Sequence, residues 1–401
     1  MITRRLLLLS LLTQAIYAAD AGPWKWKDLS VVPETFEAPH NDEPGVKALW
    51  FAGVPYKGKP TRVFAYYSAP ASAGGGQKVP AMVLIHGGGG TAFAEWVRMW
   101  NARGYAAIAM DTTGAIPQKS VDAKTLWNPA RKRTEFSGPA GWGDFANVDL
   151  APEDQWTYHA VAAAIRAHSL LRSFPEVDAR RIGVTGISWG GYLTSIVAGI
   201  DSRFRFAAPV YGCGFLGEDS AWLKNFAELG KERAARWLSL WDPSQYLGRA
   251  KMPMLWLNGT NDFAYPPPSW KKSHRLPKGQ RTLAFRVRMQ HGHPPGAKPE
   301  EIFYFADSIL RKGPRPARVR AEGFEGGKAW LRFHKPPQPV VRAELAYTRD
   351  SGRWQERKWE TIASELTGDR ATAAVPADAT AYFLNLFDQE GRVVSGEHQE
   401  R

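Results

Sequence analysis

Residues 181–200 read RIGVTGISWGGYLTSIVAGI, from Arg181 through Ser188 to Ile200. The apolar run Arg181 to Ile187 has the length and β-branched content of a buried strand, and Gly191 to Gly199 has helical character. Between them stands one serine flanked by Gly186, Gly190 and Gly191. A serine exposed on a tight strand-to-helix turn needs glycines around it, because the strained turn leaves no room for side chains. In that setting Ser188 reads as a nucleophile rather than an ordinary turn serine, and the backbone N–H of Trp189 falls where an oxyanion would need it.

Working outward, Pro80 to Ile85 is an apolar strand that runs into His86-Gly87-Gly88-Gly89-Gly90, and Tyr105 to Met110 is another, ending at Asp111. Phe93 to Arg103 between them reads as a helix, and a longer helix is expected from Pro152 onward. Further strands are expected at Phe204 to Tyr211, Met252 to Leu257 and Thr282 to Met289, with an amphipathic helix at Pro299 to Leu310. Continuous apolar strands alternating with helices require a mostly parallel central sheet covered on both faces, an α/β fold. Lys47 to Val54 and Arg62 to Ser68 read as early strands; residues 112–150 interrupt the alternation, and residues 215–248 suit a cap. Past Lys312 the pattern changes to short strands: Lys328 to Phe333, Val340 to Thr348, Trp359 to Ile362, Ala371 to Val375 and Thr380 to Leu386. The expected organisation is a signal peptide over 1–21, a catalytic domain over 22–312 and a small C-terminal β-sandwich over 313–401.

A serine hydroxyl needs a base, and the base needs an orienting acid. Asp262, just past the strand Met252 to Leu257, is placed to be that acid, although Gly259-Thr260-Asn261-Asp262 is also good turn chemistry. His291 and His293 both follow the last strand of the sheet; the loop position of His293 favours it as the base, with His291 the alternative. Consecutive glycines can turn N–H groups toward a developing negative charge, which singles out Gly88 and Gly89 beside Trp189 as oxyanion donors. Trp142, Tyr211, Phe215, Trp222 and Tyr265 fall in loops at the C-terminal strand ends, where ligands of open α/β sheets bind. Imidazoles alone make an incomplete zinc site, so the His-x-His pair calls for no metal, and the motif set calls for no cofactor.

The first residues carry Arg4 and Arg5, the apolar run Leu6 to Leu12 and small residues at Ala18, Ala19 and Ala21, the pattern of an export signal. Export to a secreted or periplasmic location is therefore expected, with no integral membrane segment in the mature chain. The formal net charge is +13, but the basic residues are spread along the chain without a nucleic-acid-binding motif, so no nucleic-acid partner is expected. The single cysteine, Cys213, rules out an intrachain disulfide and reads as a packed thiol.

Taken together, GISWGG (186–191), IHGGGG (85–90), GTND (259–262) and HGH (291–293) resemble the α/β-hydrolase superfamily, in particular its acetyl-xylan-esterase-like, dienelactone-hydrolase-like and prolyl-oligopeptidase-like branch. The resemblance covers roughly residues 45–312. It implies acyl transfer to Ser188 and hydrolysis of a small-molecule or carbohydrate ester. The alternative it leaves is an exported prolyl-oligopeptidase-like peptidase acting on short peptides. Such peptidases usually carry an extra β-domain ahead of the catalytic domain, whereas here the extra β-strands come last. Serine at the position where dienelactone hydrolases have cysteine speaks against a dienelactone substrate.

Overall fold

The computed structural model describes residues 22–73, 76–118, 126–127 and 129–401, so the signal segment expected over 1–21 lies outside the described residues. The strands of the N-terminal part are β1 (Thr35–Glu37), β2 (Lys47–Ala52), β3 (Arg62–Ser68), β4 (Val79–Ile85), β5 (Ala106–Met110), β6 (Ala115–Pro117), β7 (Arg131–Arg133), β8 (Val177–Ile187), β9 (Ala207–Val210), β10 (Met254–Gly259) and β11 (Arg281–Arg286). A nine-stranded sheet runs in the order β1-β2-β3-β5-β4-β8-β9-β10-β11. It is antiparallel up to the β3–β5 pair and parallel from β5 to β11. Strands β4, β5 and β10 are buried at every residue, which explains their unbroken apolar sequences: helices cover both faces, so neither face needs to be polar. The covering helices include Ala94–Asn101 and Glu300–Leu310, which meet through Trp100 and Phe303 at 4.7 Å. Trp156–Ser173 packs against Trp189–Ile200.

Several elements differ from the sequence reading for local physical reasons. The helix expected from Pro152 is split into a 3-10 turn, Pro152–Asp154, and a helix that starts at Trp156. Between them Gln155 is extended, its amide donating to Val148 O and Leu150 O and accepting from Trp241 Nε1. Strand β11 stops at Arg286 rather than Met289, because its ladder with β10 closes at the pair Gly259–Arg286 and Arg288 then takes φ 53°. Within 112–150, β6 and β7 form a hairpin. The cap region holds the helices Leu223–Leu229 and Lys231–Trp241, which bury Phe226, Trp237 and Trp241 against the sheet-bound core.

The C-terminal part is built from β12 (Arg318–Glu325), β13 (Lys328–His334), β14 (Val340–Thr348), β15 (Trp359–Ala363), β16 (Glu365–Thr367), β17 (Arg370–Ala374), β18 (Ala381–Asp388), β19 (Val393–Ser395) and β20 (Gln399–Glu400). Two sheets, β12-β13-β17-β16 and β15-β14-β18-β19 with β20 beside β18, enclose Leu331, Phe333, Leu345, Leu384 and Leu386. Ala346, Trp354, Trp359, Phe383 and Val393 belong instead to the main core around the large sheet. The junction lies along β11, the outer strand of the large sheet. There Phe285 N–H donates to Ser395 Oγ (2.8 Å) and Phe285 O accepts from Asn385 Nδ2 (3.3 Å). Side chains of the second unit thus satisfy backbone groups that an uncovered edge would expose.

Because Phe383 packs tilted against Phe285 at 4.6 Å and is buried in the shared core, Phe383→Ala should destabilise both parts together, by about 3–5 kcal/mol. Urea unfolding followed by far- and near-ultraviolet circular dichroism tests this; a transition of the N-terminal part that stays at the wild-type midpoint would contradict it.

Candidate active site

Ser188 is held at φ 58° and ψ −119°, between the end of β8 and the helix Trp189–Ile200. Its N–H donates to Val210 O and its carbonyl accepts from Tyr192 N–H, each at 2.9 Å, so the turn is fixed from both sides. A Cβ on Gly190 would lie 2.0 Å from Ile85 O, and one on Gly186 would lie 2.2 Å from Gly190 O. Both positions therefore need glycine for close approach.

Asp262 follows β10 and is buried; its Oδ1 accepts from Ala264 N–H (2.9 Å) and Tyr265 N–H (2.7 Å). Its Oδ2 lies 2.6 Å from His291 Nδ1, and His291 Nε2 lies 2.8 Å from Ser188 Oγ. With the carboxylate taking Nδ1–H, the lone pair of Nε2 faces the serine hydroxyl, the arrangement that proton removal requires. The imidazole is flanked by Tyr211 (4.4 Å between centroids, stacked) and Phe263 (4.6 Å).

His293, favoured by the sequence reading, is not the histidine beside Ser188. It opens the short helix His293–Ala297, whose Gly296 packs on Ile187 and Tyr211, and this turns its ring toward the glycine loop. There His293 Nε2 accepts Gly87 N–H at 3.0 Å, while Phe93 meets the ring edge at 4.8 Å. Burial, reinforced by the neighbouring His86, lowers its pKa to about 3, so the nitrogen is a neutral acceptor at ordinary pH. The Gly87 carbonyl is engaged too: His86 Nδ1 donates to it at 2.8 Å, and His86 Nε2 accepts Thr112 N–H at 3.0 Å. Two histidines thus hold both polar groups of Gly87. Asp111, just past β5, accepts from Thr113 N–H (2.7 Å) and Ala115 N–H (2.9 Å), and its Oδ2 lies 3.5 Å from His86 Nε2.

Beyond Gly87 the loop brings Gly88 against the Trp189 ring, where a Cβ would sit 2.9 Å from Cδ1; Gly89 has φ 75°. Trp142 stands beside Gly88, half-buried, with the Arg131 guanidinium 4.9 Å from its ring centroid and Arg131 donating to Gly90 O. Phe215 is half-buried with φ 59°, its N–H bound to Asp242 Oδ1. Tyr211 and Tyr265, also expected to line the substrate, are instead fully buried. Tyr211 donates to Gln290 O at 2.6 Å and supports His291 from beneath, so these two rings pack the site rather than face a ligand. The exposed ring is Phe263, 58% accessible, which the sequence reading passed over although it directly follows Asp262. Trp222 covers Trp189 at 4.4 Å. Cys213 is a packed thiol bonded to Gly214 O, its pKa raised by burial.

Two family models match overlapping parts of the chain: acetyl xylan esterase over residues 35–219 and the prolyl oligopeptidase family over residues 151–311. The chain belongs to the α/β-hydrolase superfamily. The chain is 28% identical over 211 residues to an uncharacterized peptidase, YuxL, of Bacillus subtilis (strain 168); the match takes in 49% of this chain but only 28% of that relative's length. Among solved structures, the acetyl xylan esterase of Paenibacillus sp. R4 superposes with a TM-score of 0.55 at 24% identity, covering 71% of this chain and 92% of the other. Acetyl xylan esterase 1 of Thermoanaerobacterium sp. JW/SL YS485 gives 0.52 at 18% identity, covering 72% and 92%. The structural likenesses carry the fold, and the two family models between them span residues 35–311, which hold Ser188, Asp262 and His291.

The depressed pKa of His293 has a consequence for stability. Between its ordinary value of 6.5 and about 3, the unfolded chain takes up a proton at this position that the folded chain refuses, so stability falls as pH falls through that window. His293→Asn should remove this contribution: the stability of wild type relative to the variant should decline on acidification from pH 6 to pH 4, by up to about 1 kcal/mol per pH unit given the partial exposure of the residue. Parallel urea-derived stability curves for the two proteins would contradict it.

Proposed function

We propose that this chain hydrolyses a carboxylic ester through an acyl-enzyme on Ser188, with acetyl esters of carbohydrate as the favoured substrate class. The observation that carries the reading is the continuous line Asp262 Oδ2, His291 Nδ1, His291 Nε2, Ser188 Oγ, with contacts of 2.6 and 2.8 Å. As Ser188 Oγ attacks the carbonyl carbon, His291 Nε2 takes its proton, and Asp262 stabilises the resulting imidazolium. The backbone N–H groups of Trp189 and Gly88 are the assigned partners of the oxyanion. Collapse of the tetrahedral intermediate expels the alcohol, which receives the proton from His291. Water, deprotonated by His291, then attacks the acyl carbon and releases the acid, regenerating Ser188.

Ester rather than peptide is favoured by the engagement of Asp144 and Glu218. A peptidase of short substrates needs an acid to hold a free amino terminus, yet Asp144 accepts from Asn147 and Trp156, and Glu218 is paired with Lys272. The aromatic faces of Phe263, Trp142 and Trp222 suit stacking against a sugar ring, and the acetyl xylan esterase model spans both the glycine loop and Ser188.

Fluorophosphonate labelling with mass-spectrometric localisation should find the adduct on Ser188 and none in Ser188→Ala. His291→Ala should lower kcat/KM for an aryl acetate by roughly three orders of magnitude or more, with His293→Asn far less affected. Aryl acetates and acetylated xylan should be turned over and aminoacyl-arylamides should not; the reverse preference would overturn the ester reading in favour of a peptidase.

A further inference from the structure

The acid and base loops each make a second set of contacts, away from the substrate side. Asn261, the residue before Asp262, directs its amide nitrogen at three backbone carbonyls of the C-terminal part: Arg357 O (2.7 Å), Trp354 O (3.2 Å) and Gln355 O (3.3 Å). The amide oxygen of the same side chain accepts from Thr260 Oγ1–H at 2.7 Å. Thr260 Oγ1 in turn accepts Arg288 N–H at 2.9 Å, which ties the loop carrying Asp262 to the segment leading into His291. Arg288 then reaches the same C-terminal segment, donating from Nη2 to Trp359 O at 3.2 Å.

That segment is itself firmly placed. Trp354 and Trp359 are buried and stacked at 6.2 Å; Trp354 also abuts the buried His398 at 5.3 Å, and Trp359 meets Phe383 at 5.5 Å. The Arg357 guanidinium lies over the Trp354 ring at 3.7 Å. A rigid, apolar-anchored turn therefore presents a row of carbonyls to Asn261 and Arg288, the residues next to the two loops whose relative position sets the Asp262–His291 contact.

We propose that the C-terminal domain is a working part of the hydrolytic centre, its segment Trp354–Trp359 fixing the Asp262 and His291 loops in register with each other through Asn261 and Arg288. The inference rests on the reading of Ser188, His291 and Asp262 as the hydrolytic set. Asn261 and Arg288 are positioning residues. Proton transfer from Ser188 Oγ to His291 Nε2, 2.8 Å apart, tolerates little misplacement of the imidazole that Asp262 holds, and displacements near 1 Å can cost up to about 100-fold in rate.

The test uses the full chain and the variants Asn261→Ala and Arg288→Ala, each assayed at a temperature where its circular dichroism matches wild type. Asn261→Ala should slow fluorophosphonate labelling of Ser188 and lower kcat for an aryl acetate by roughly 10-fold, with KM within about 2-fold of wild type. The downfield proton resonance of His291 Nδ1–H should broaden or disappear. Arg288→Ala should change the same readouts in the same direction. Asn261→Asp, which keeps the acceptor for Thr260 but loses the amide donors, should behave like Asn261→Ala. Labelling and kcat at the wild-type level in both Asn261→Ala and Arg288→Ala, or loss only in proportion to the unfolded fraction, would overturn this inference alone. Absence of labelling at Ser188 in the wild type would overturn the underlying reading and this inference with it.

Discussion

Ser188 sits at a positive φ that a residue with a side chain adopts only when its surroundings impose it, at a cost on the order of 1–3 kcal/mol. The surroundings that impose it are the parallel strands themselves. Val210 at the end of β9 takes the serine N–H, and the helix that begins at Trp189 takes its carbonyl. Gly190 lets that helix press against the end of β4 at Ile85. The sheet order, with β8 between β4 and β9, is thus what places a hydroxyl at the sheet's C-terminal edge beside the glycine loop from β4. The acid follows β10 and the base follows β11, the next strands outward, so the elements of the site arrive in the spatial order of the strands.

Around this edge the structure relies on two further histidines as well as on the one beside Ser188. His86 and His293 hold the two polar groups of Gly87. His293 must keep Nε2 unprotonated to accept Gly87 N–H, and its low pKa matches that requirement. His291 differs in that its Nε2 faces Ser188 Oγ while Asp262 holds its Nδ1. Three imidazoles within one small region therefore do two different jobs, and the difference comes from what each ring nitrogen faces.

Much of this arrangement was legible in the sequence. A strand, a glycine-flanked serine and a helix form a local pattern, and the unbroken apolar strands announce a sheet covered on both faces. Asp262 could be placed because it directly follows such a strand. The choice between His291 and His293 could not be read locally: it depends on β11 closing its ladder at Arg286 and on a helical turn beginning at His293, and both follow from packing against β10 and Ile187. Tyr211 and Tyr265 look like exposed loop aromatics in sequence and are buried by the cap and by the imidazole they support. Asn261 reads as an ordinary turn former, since its partners lie some ninety residues away in a region whose sequence carries no motif.

The central claim is that Ser188, His291 and the loop around Gly88 form one preorganised acyl-transfer site. A crystal structure of the protein after reaction with a phosphonate ester tests it most directly. The account predicts phosphorus bonded to Ser188 Oγ, the phosphonyl oxygen within hydrogen-bond distance of Trp189 N–H and Gly88 N–H, and His291 Nε2 still facing the serine with Gly87 N–H still on His293. An adduct on another residue would contradict it, as would a phosphonyl oxygen turned to solvent or His293 swung onto the adduct in place of His291.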